Sequence, residues 1–160
     1  MKKIIISAIS LNNVIGKNNR IPWKNQEELN YFKETTLNYA VLMGRRTFDS
    51  LNKPLPKRFN LVISREEYIN DKPNNLFYFT SLSEAIIHAD NLNVDKLFII
   101  GGSEVYSQMI NEVDELLISR IPFEIEGDTY FPVINVKDWH LKEVKDFQSF
   151  KVESYLRKTD

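Results

Sequence analysis

The chain has no cysteine, which excludes disulfides, thiolate nucleophiles and cysteine-held metals. It has only two histidines, His88 and His140, far apart in sequence, so neither a zinc site nor a Cys/His dyad is expected. Each histidine reads as structural, His88 on an amphipathic helix and His140 in a strand. No apolar run approaches the roughly 20 residues that span a bilayer. The opening MKKIIISAIS turns polar too early for a signal peptide, so the expected compartment is the cytoplasm. A formal net charge of -1 and the lack of long basic runs argue against a nucleic-acid or membrane surface. Any charged ligand must therefore meet a local patch. What is present is a globular balance: 160 residues, 42% hydrophobic and 27% charged, suit one compact domain over residues 1–160 with a substantial core.

The runs Ile4-Ile5-Ile6, Val41-Leu42-Met43, Leu61-Val62-Ile63 and Leu97-Phe98-Ile99-Ile100 lack polar alternation and read as strands buried on both faces. Helical segments lie between them: Gln26 to Leu37, Arg45 to Leu51, and Leu82 to Asn91, the last opened by the capping box Ser81-Leu82-Ser83-Glu84. Strands alternating with helices imply an α/β fold on a largely parallel sheet. In Phe150 to Arg157 apolar and polar residues mostly alternate, as in an antiparallel strand with one exposed face, so the sheet is expected to be mixed. Asn70-Asp71-Lys72-Pro73-Asn74-Asn75 is an ordinary polar connection. Leu11 to Lys24 is a longer one, rich in turn formers; it carries Ile15, Ile21 and Trp23, which could cover a ligand or anchor the loop to the core.

Two strand ends run into glycine and then a helix: Met43-Gly44-Arg45-Arg46-Thr47, and Ile100-Gly101-Gly102-Ser103-Glu104-Val105-Tyr106. Such layouts let a backbone approach phosphate and present unpaired N–H groups to it. Two of them suit a dinucleotide. Arg45-Arg46 with Ser64-Arg65 adds guanidinium forks and a hydroxyl for a terminal phosphate such as the 2'-phosphate of NADPH. Neither the GxGxxG nor the GxxxxGK[ST] spacing occurs, and a tight turn with solvated arginines explains the same residues.

Glu28 is the most telling carboxylate. Asn25-Gln26-Glu27-Glu28 fits a capping box, with Asn25 as N-cap and the Glu28 side chain returning to the Asn25 amide. At about 100° per residue, however, Leu29, Phe32 and Thr36 share one stripe, and Glu28 lies roughly 40° from Phe32 on its rim. Its carboxylate is thus a cap, a ligand-binding acid, or both.

Val14-Ile15-Gly16, Ile21-Pro22-Trp23, Glu28, Met43 to Thr47, Pro54-Leu55-Pro56, Ile100-Gly101-Gly102 and Glu126-Gly127-Asp128-Thr129-Tyr130-Phe131-Pro132 together resemble dihydrofolate reductase, in the order and with the gaps of that family. The resemblance covers nearly the whole chain. It implies a single α/β domain with a mixed, mainly parallel eight-stranded sheet, about four flanking helices and antiparallel C-terminal strands. The implied activity is NADPH-dependent reduction of 7,8-dihydrofolate to 5,6,7,8-tetrahydrofolate by a cytoplasmic monomer.

By the same resemblance, Glu28, Trp23 and Ser119 are the catalytic residues. Ile6, Ser7, Glu28, Leu29, Phe32, Lys33, Leu51, Lys53, Arg58, Ile100, Tyr106 and Ser119 face the substrate. The residues implied to hold NADPH are Ala8, Val14, Ile15, Gly16, Lys17, Asn18, Asn19, Arg20, Gly44, Arg45, Arg46, Thr47, Ser64, Arg65, Thr80, Gly101, Gly102, Ser103, Glu104, Val105 and Tyr106. No metal is implied, and Gly101-Gly102 is expected to include a cis peptide. The sequence departs from the family pattern in four places. Glu28 stands for the aspartate usual in bacterial members, and Ser119 for a threonine. Ile21 replaces a methionine of the Leu11 to Lys24 loop, which the resemblance implies is a lid over the ligand, and Glu104 lies beside the phosphate turn, where it must point to solvent. The alternatives are a pyrimidine reductase of riboflavin synthesis with a similar fold, and a non-catalytic nucleotide-binding module.

Overall fold

The computed structural model describes residues 1–66 and 72–159; Asn70 and Asp71 of the expected polar connection lie outside them. The buried aliphatic runs form strands as their composition dictates: β1 (Lys2–Ile9), β3 (Ala40–Gly44), β4 (Phe59–Ile63) and β6 (Lys96–Ile99). β5 (Leu76–Phe79), β7 (Glu115–Arg120), β9 (Trp139–Asp146) and β10 (Lys151–Arg157) complete an eight-stranded sheet in the order β5-β4-β3-β6-β1-β7-β10-β9. The six strands from β5 to β7 run parallel, and β10 and β9 pair antiparallel at the far edge. The mixed, mainly parallel sheet expected from the sequence is the one observed.

Helices cover both faces. Because alternate strand residues point to opposite sides, Ile4, Ile6, Val41, Met43, Val62 and Phe98 form one core, packed by Phe32 and Tyr31 of α1 (Gln26–Thr36) and by Phe48 and Leu51 of α2 (Arg45–Leu51). Ile5, Leu42, Leu61, Leu97 and Ile99 form the other, beneath Ala85 and Ala89 of α3 (Leu82–Asn91) and Val105, Tyr106 and Met109 of α4 (Ser103–Met109). At roughly 25 cal/mol per Å2 of buried apolar surface, each fully enclosed Ile or Leu contributes about 2 kcal/mol. A cluster of Ile121, Phe150 and Val152 closes the sheet's C-terminal end.

The helices end where local chemistry says they must. Asn25 caps α1 by accepting the Glu28 N–H at 3.0 Å, and Ser81 caps α3 through the Glu84 N–H at 3.2 Å. α1 stops one residue short of the expected Leu37, which turns extended as the C-cap. Residues 11–24 are less irregular than their composition suggests. Val14–Gly16 forms β2, pairing antiparallel with β8 (Thr129–Tyr130) in a separate two-stranded sheet. Among the described residues no helix is long and apolar enough to cross a membrane.

Candidate active site

All six parallel strands point their carboxyl ends at one edge, the edge at which open α/β sheets gather ligands. There the structure collects Ser7 and Ala8 of β1, Gly44 at the end of β3, Ser64 after β4, Thr80 after β5, Ile100 to Gly102 after β6 and Ser119 of β7. α1 lies across the same edge and lowers Glu28 onto it.

Glu28 is buried, with 6% of its surface exposed. Desolvation raises its carboxyl above the ordinary glutamate range; the Ser119 hydroxyl beside it partly opposes that rise. Ser119 pairs in register with Ala8 and lies two residues after Leu117, so its side chain emerges on the α1 face of the sheet. Its Oγ is fully buried and closes no hydrogen bond of ordinary length. Among the described residues no basic side chain pairs with Glu28. A desolvated acid and an unsatisfied hydroxyl therefore face the same place, an arrangement that costs free energy without a ligand. The capping role belongs to the Glu28 amide and not to its carboxylate: the Asn25 side chain accepts the Glu28 N–H, and no bond returns from the Asn25 N–H.

The same face of the sheet is otherwise apolar. Ile6, Phe32, Leu51 and Ile100 pack against one core cluster, while Leu29 is half exposed at the rim. Tyr106 donates to the Ile6 carbonyl at 2.9 Å, and its hydroxyl resists ionisation because of burial and, to a smaller extent, the charge of Glu28. Trp23 lies half-buried against Ile121, Phe150 and Val152, next to Ala8 and Tyr31. It anchors the C-terminal end of the segment 11–24 to the core.

Arg58 is the second buried charge, with 5% exposed. Its Nε donates to the Pro56 carbonyl at 3.0 Å and its Nη1 to Thr36 Oγ1 at 3.1 Å, while burial lowers its affinity for its proton. Among the described residues no acid pairs with it. A guanidinium held so, with one edge still available, is built to receive a carboxylate. Sequence reasoning missed the shaping residues Asn60 and Asn75. Asn60, fully buried, accepts the Leu55 N–H at 2.8 Å and donates to the Leu55 and Arg58 carbonyls, and Asn75 donates to the same two carbonyls. A polar Asn inside the apolar run Phe59–Ile63 was the available signal. Lys33 and Lys53 are exposed.

The glycine turns approach each other. Gly44 N–H donates to the Gly101 carbonyl at 2.8 Å, and the Gly101-Gly102 peptide is cis. A Cβ on Gly44 would come 3.3 Å from Val105 Cγ2, and Gly101, at φ 119°, has the Tyr106 ring 3.4 Å from where its Cβ would be. A side chain would be tight at Gly44 and strained by the positive φ at Gly101, so the backbone surface here is left bare. Arg45 donates to Ser64 Oγ at 3.3 Å and pairs with Asp49 at 2.9 Å. Arg46 and Arg65 are exposed, Thr47 and Ser103 are half-buried, and Thr80 donates to Glu84 at 3.4 Å. Glu104 is exposed on the first turn of α4, as expected of it.

The segment 11–24 is clasped by the segment 125–131. Asp128 N–H donates to the Gly16 carbonyl and Asp128 Oδ2 accepts the Asn18 N–H, both at 3.0 Å, while Asn12 reads both backbone groups of Ile125. Gly127 permits the closure, since a Cβ there would collide with Val14 Cγ1 and come 2.7 Å from the Gly16 carbonyl. Lys17 pairs loosely with Glu126, and Asn18 and Asn19 take positive φ in the turn that leads to Arg20.

Comparison with known proteins agrees with this geometry. The family model described as dihydrofolate reductase matches residues 3–157. The chain is similar to the dihydrofolate reductase of Haemophilus influenzae, 36% identical over 138 residues that cover 86% of this chain and 83% of that one. It is also similar to that of Mycoplasma genitalium, 37% identical over 157 residues covering 97% and 98%. Among solved structures it resembles dihydrofolate reductase from Enterococcus faecalis complexed with NADP(H) and RAB-propyl, with TM-score 0.86, 28% identity and coverage of 99% and 97%. By family match, identity and coverage, the chain belongs to the dihydrofolate reductase family.

Proposed function

We propose that this protein reduces 7,8-dihydrofolate to 5,6,7,8-tetrahydrofolate with NADPH, acting as a single-domain monomer in the cytoplasm. One observation carries the reading: Glu28 is a desolvated carboxylate with no cation partner among the described residues, flanked by an unsatisfied Ser119 hydroxyl, on the face of the sheet where Ile6, Phe32, Leu51 and Ile100 pack. A pterin offers a ring N–H beside an exocyclic amino group, and one carboxylate meets that planar donor pair with two charge-assisted hydrogen bonds. Ser119 completes the acid's remaining hydrogen bonding. Phe32, one helical turn on, packs along the ligand toward Arg58, whose free edge takes the carboxylate of the glutamate tail. Arg58 also separates this reading from a pyrimidine reductase, whose aminopyrimidine substrate carries no such carboxylate.

The residues present fit the cofactor. Gly44 and the Gly101-Gly102 pair leave a backbone cradle between β3 and β6, Ser103 to Tyr106 line the start of α4, and Arg45, Arg46, Ser64 and Arg65 gather cations and a hydroxyl for the 2'-phosphate. Bound there, NADPH supplies the hydride that reaches C6 of the pterin. The chain's own part is placement: Glu28 fixes the pterin edge, Ala8, Ile100 and the lid from Val14 to Arg20 confine the reacting faces, and Trp23 keeps the lid seated. Burial raises the proton affinity of Glu28, but the pterin edge it binds lies across the ring from N5, so the proton for N5 comes by way of water and not from a direct contact.

The test is direct. Mixing the protein with NADPH and dihydrofolate and following nicotinamide absorbance should show stoichiometric oxidation, with tetrahydrofolate as product. No oxidation by folded protein overturns the assignment.

A further inference from the structure

The turn of the last hairpin, Phe147 to Phe150, is far from Glu28 in sequence yet grips the helix that carries it. The grip has a polar and an aromatic half. Glu27 accepts the Ser149 N–H at 2.9 Å, the Ser149 hydroxyl at 2.6 Å and the Gln148 N–H at 3.3 Å. Ser149 Oγ also lies 3.0 Å from Asn25 Nδ2 and 3.1 Å from Asn25 Oδ1, and that same Oδ1 receives the Glu28 N–H. One turn along α1, Tyr31 meets Phe147 edge-on at 5.4 Å and tilts onto Phe150 at 6.0 Å, while those two rings stack at 4.5 Å.

Helix starts fray, because their first N–H groups lack intrahelical partners. Glu27 and Tyr31, four residues apart, present one flank of α1 to the turn; Glu28 and Phe32, one residue on, present the next flank to the site. We propose that Glu27 and Ser149 are positioning residues for the reaction, forming a strap that locks the first turn of α1 and so fixes where the Glu28 carboxylate meets the substrate. The strap is more than a helix cap, since Asn25 alone would satisfy the Glu28 amide. Its additional bonds join the cap to a different part of the sheet. The hydrogen bonds from Ser149 hold the Glu27 carboxyl below its usual range, so the strap stays formed as pH falls into the range of ordinary carboxylates. The titratable groups near Glu28 are Tyr31 on its own helix and Tyr106 of α4, both with raised hydroxyls, and Ser119 is its polar neighbour from β7.

The inference rests on the role proposed for Glu28, so Glu28→Gln belongs in the same experiment. Glu27→Ala, Ser149→Ala and Ser149→Thr are assayed for KM of dihydrofolate, kcat, the pH midpoint of turnover, NADPH binding and Tm. Glu27→Ala is expected to raise KM about tenfold, the scale of a site held slightly too loosely. The midpoint should move down, because a frayed first turn admits water to Glu28. NADPH binding should be unchanged. Ser149→Ala should give a smaller change of the same kind, and Ser149→Thr, which keeps the hydroxyl, should restore the native values. If KM and the midpoint stay native in Glu27→Ala, whether or not Tm falls, the strap has no positioning role. If threonine behaves as alanine, the hydroxyl is not the link. Wild-type turnover in Glu28→Gln overturns the role of Glu28 and the strap with it, whereas a silent Glu27→Ala beside an inactive Glu28→Gln overturns the strap alone.

Discussion

Replacing Glu28 with glutamine isolates the carboxylate from everything else that residue does. Its amide still donates to Asn25, so the α1 cap survives, and glutamine has nearly the same shape. The chemistry does not survive. A carboxylate offers two acceptors to the pterin's donor pair, whereas the amide offers one acceptor and one opposing donor. One charge-assisted bond is lost and the other loses its charge; with such bonds worth about 1.5–3 kcal/mol each, the combined loss is about 3 kcal/mol. That corresponds to about 10²-fold in kcat/KM, read by stopped-flow NADPH oxidation. Stability should move the other way. Burial raises the Glu28 carboxyl, so its contribution to folding is fully present below the unfolded value near 4.5 and is lost as pH rises through the folded value. Glutamine has no such loss, and the variant should gain stability relative to the native protein as pH rises from 4.5 toward neutrality, measured by urea unfolding across pH. Native turnover, or a stability difference independent of pH, refutes the reading of Glu28 as a desolvated pterin ligand.

Other substitutions probe the remaining parts of the site. Arg58→Met keeps the aliphatic stem but removes the only buried guanidinium near Thr36, and should weaken dihydrofolate by about 10²-fold while leaving a dihydropterin without a glutamate tail unaffected; equal losses for both compounds would refute the tail contact. Alanine at Arg45 and Arg46 together should weaken NADPH about tenfold or more with little effect on NADH, measured by fluorescence titration, because only the former carries the 2'-phosphate. Gly127→Ala forces a Cβ into Val14 and toward the Gly16 carbonyl, so denaturant unfolding should show a loss of about 1–3 kcal/mol, with kcat falling as the lid clasp loosens.

Much of the fold was written in short-range patterns. The aliphatic runs at Ile4, Val41, Leu61 and Leu97 had to be buried strands because no face of them could tolerate water, and α2 and α3 occupy the residues expected of them, α3 behind its Ser81 cap. The strands that were only partly legible, or not at all, are those whose pattern is broken by position. β9, Trp139–Asp146, which the sequence marked only by placing His140 in a strand, is an edge strand buried only at Trp139, and it takes its conformation from backbone pairing with β10 along its whole length, through a register shift between Ser154 and Tyr155. β2 needs β8, more than a hundred residues away, so composition alone made it a loop.

The site divides along the same line. Glu28, the glycine turns and the arginines are single residues whose chemistry is visible locally, and family resemblance could assign them roles. What makes them a site is supplied by distant groups. Local sequence made the Glu28 side chain a candidate cap; in the fold the cap is Asn25, and it takes the Glu28 amide, which frees the carboxylate to be buried against Ser119 from a strand some ninety residues on. Likewise Arg58 reads as an ordinary loop cation until Asn60 and Asn75 bind the carbonyls around it and Thr36 takes one of its donors. Both charges are costly where they sit, and neither finds an opposite charge among the described residues. A protein gains nothing in stability from keeping an acid and a guanidinium so placed. Their retention is accounted for if one ligand carries both a donor pair for the acid and a carboxylate for the guanidinium, and that is the chemical description of a folate.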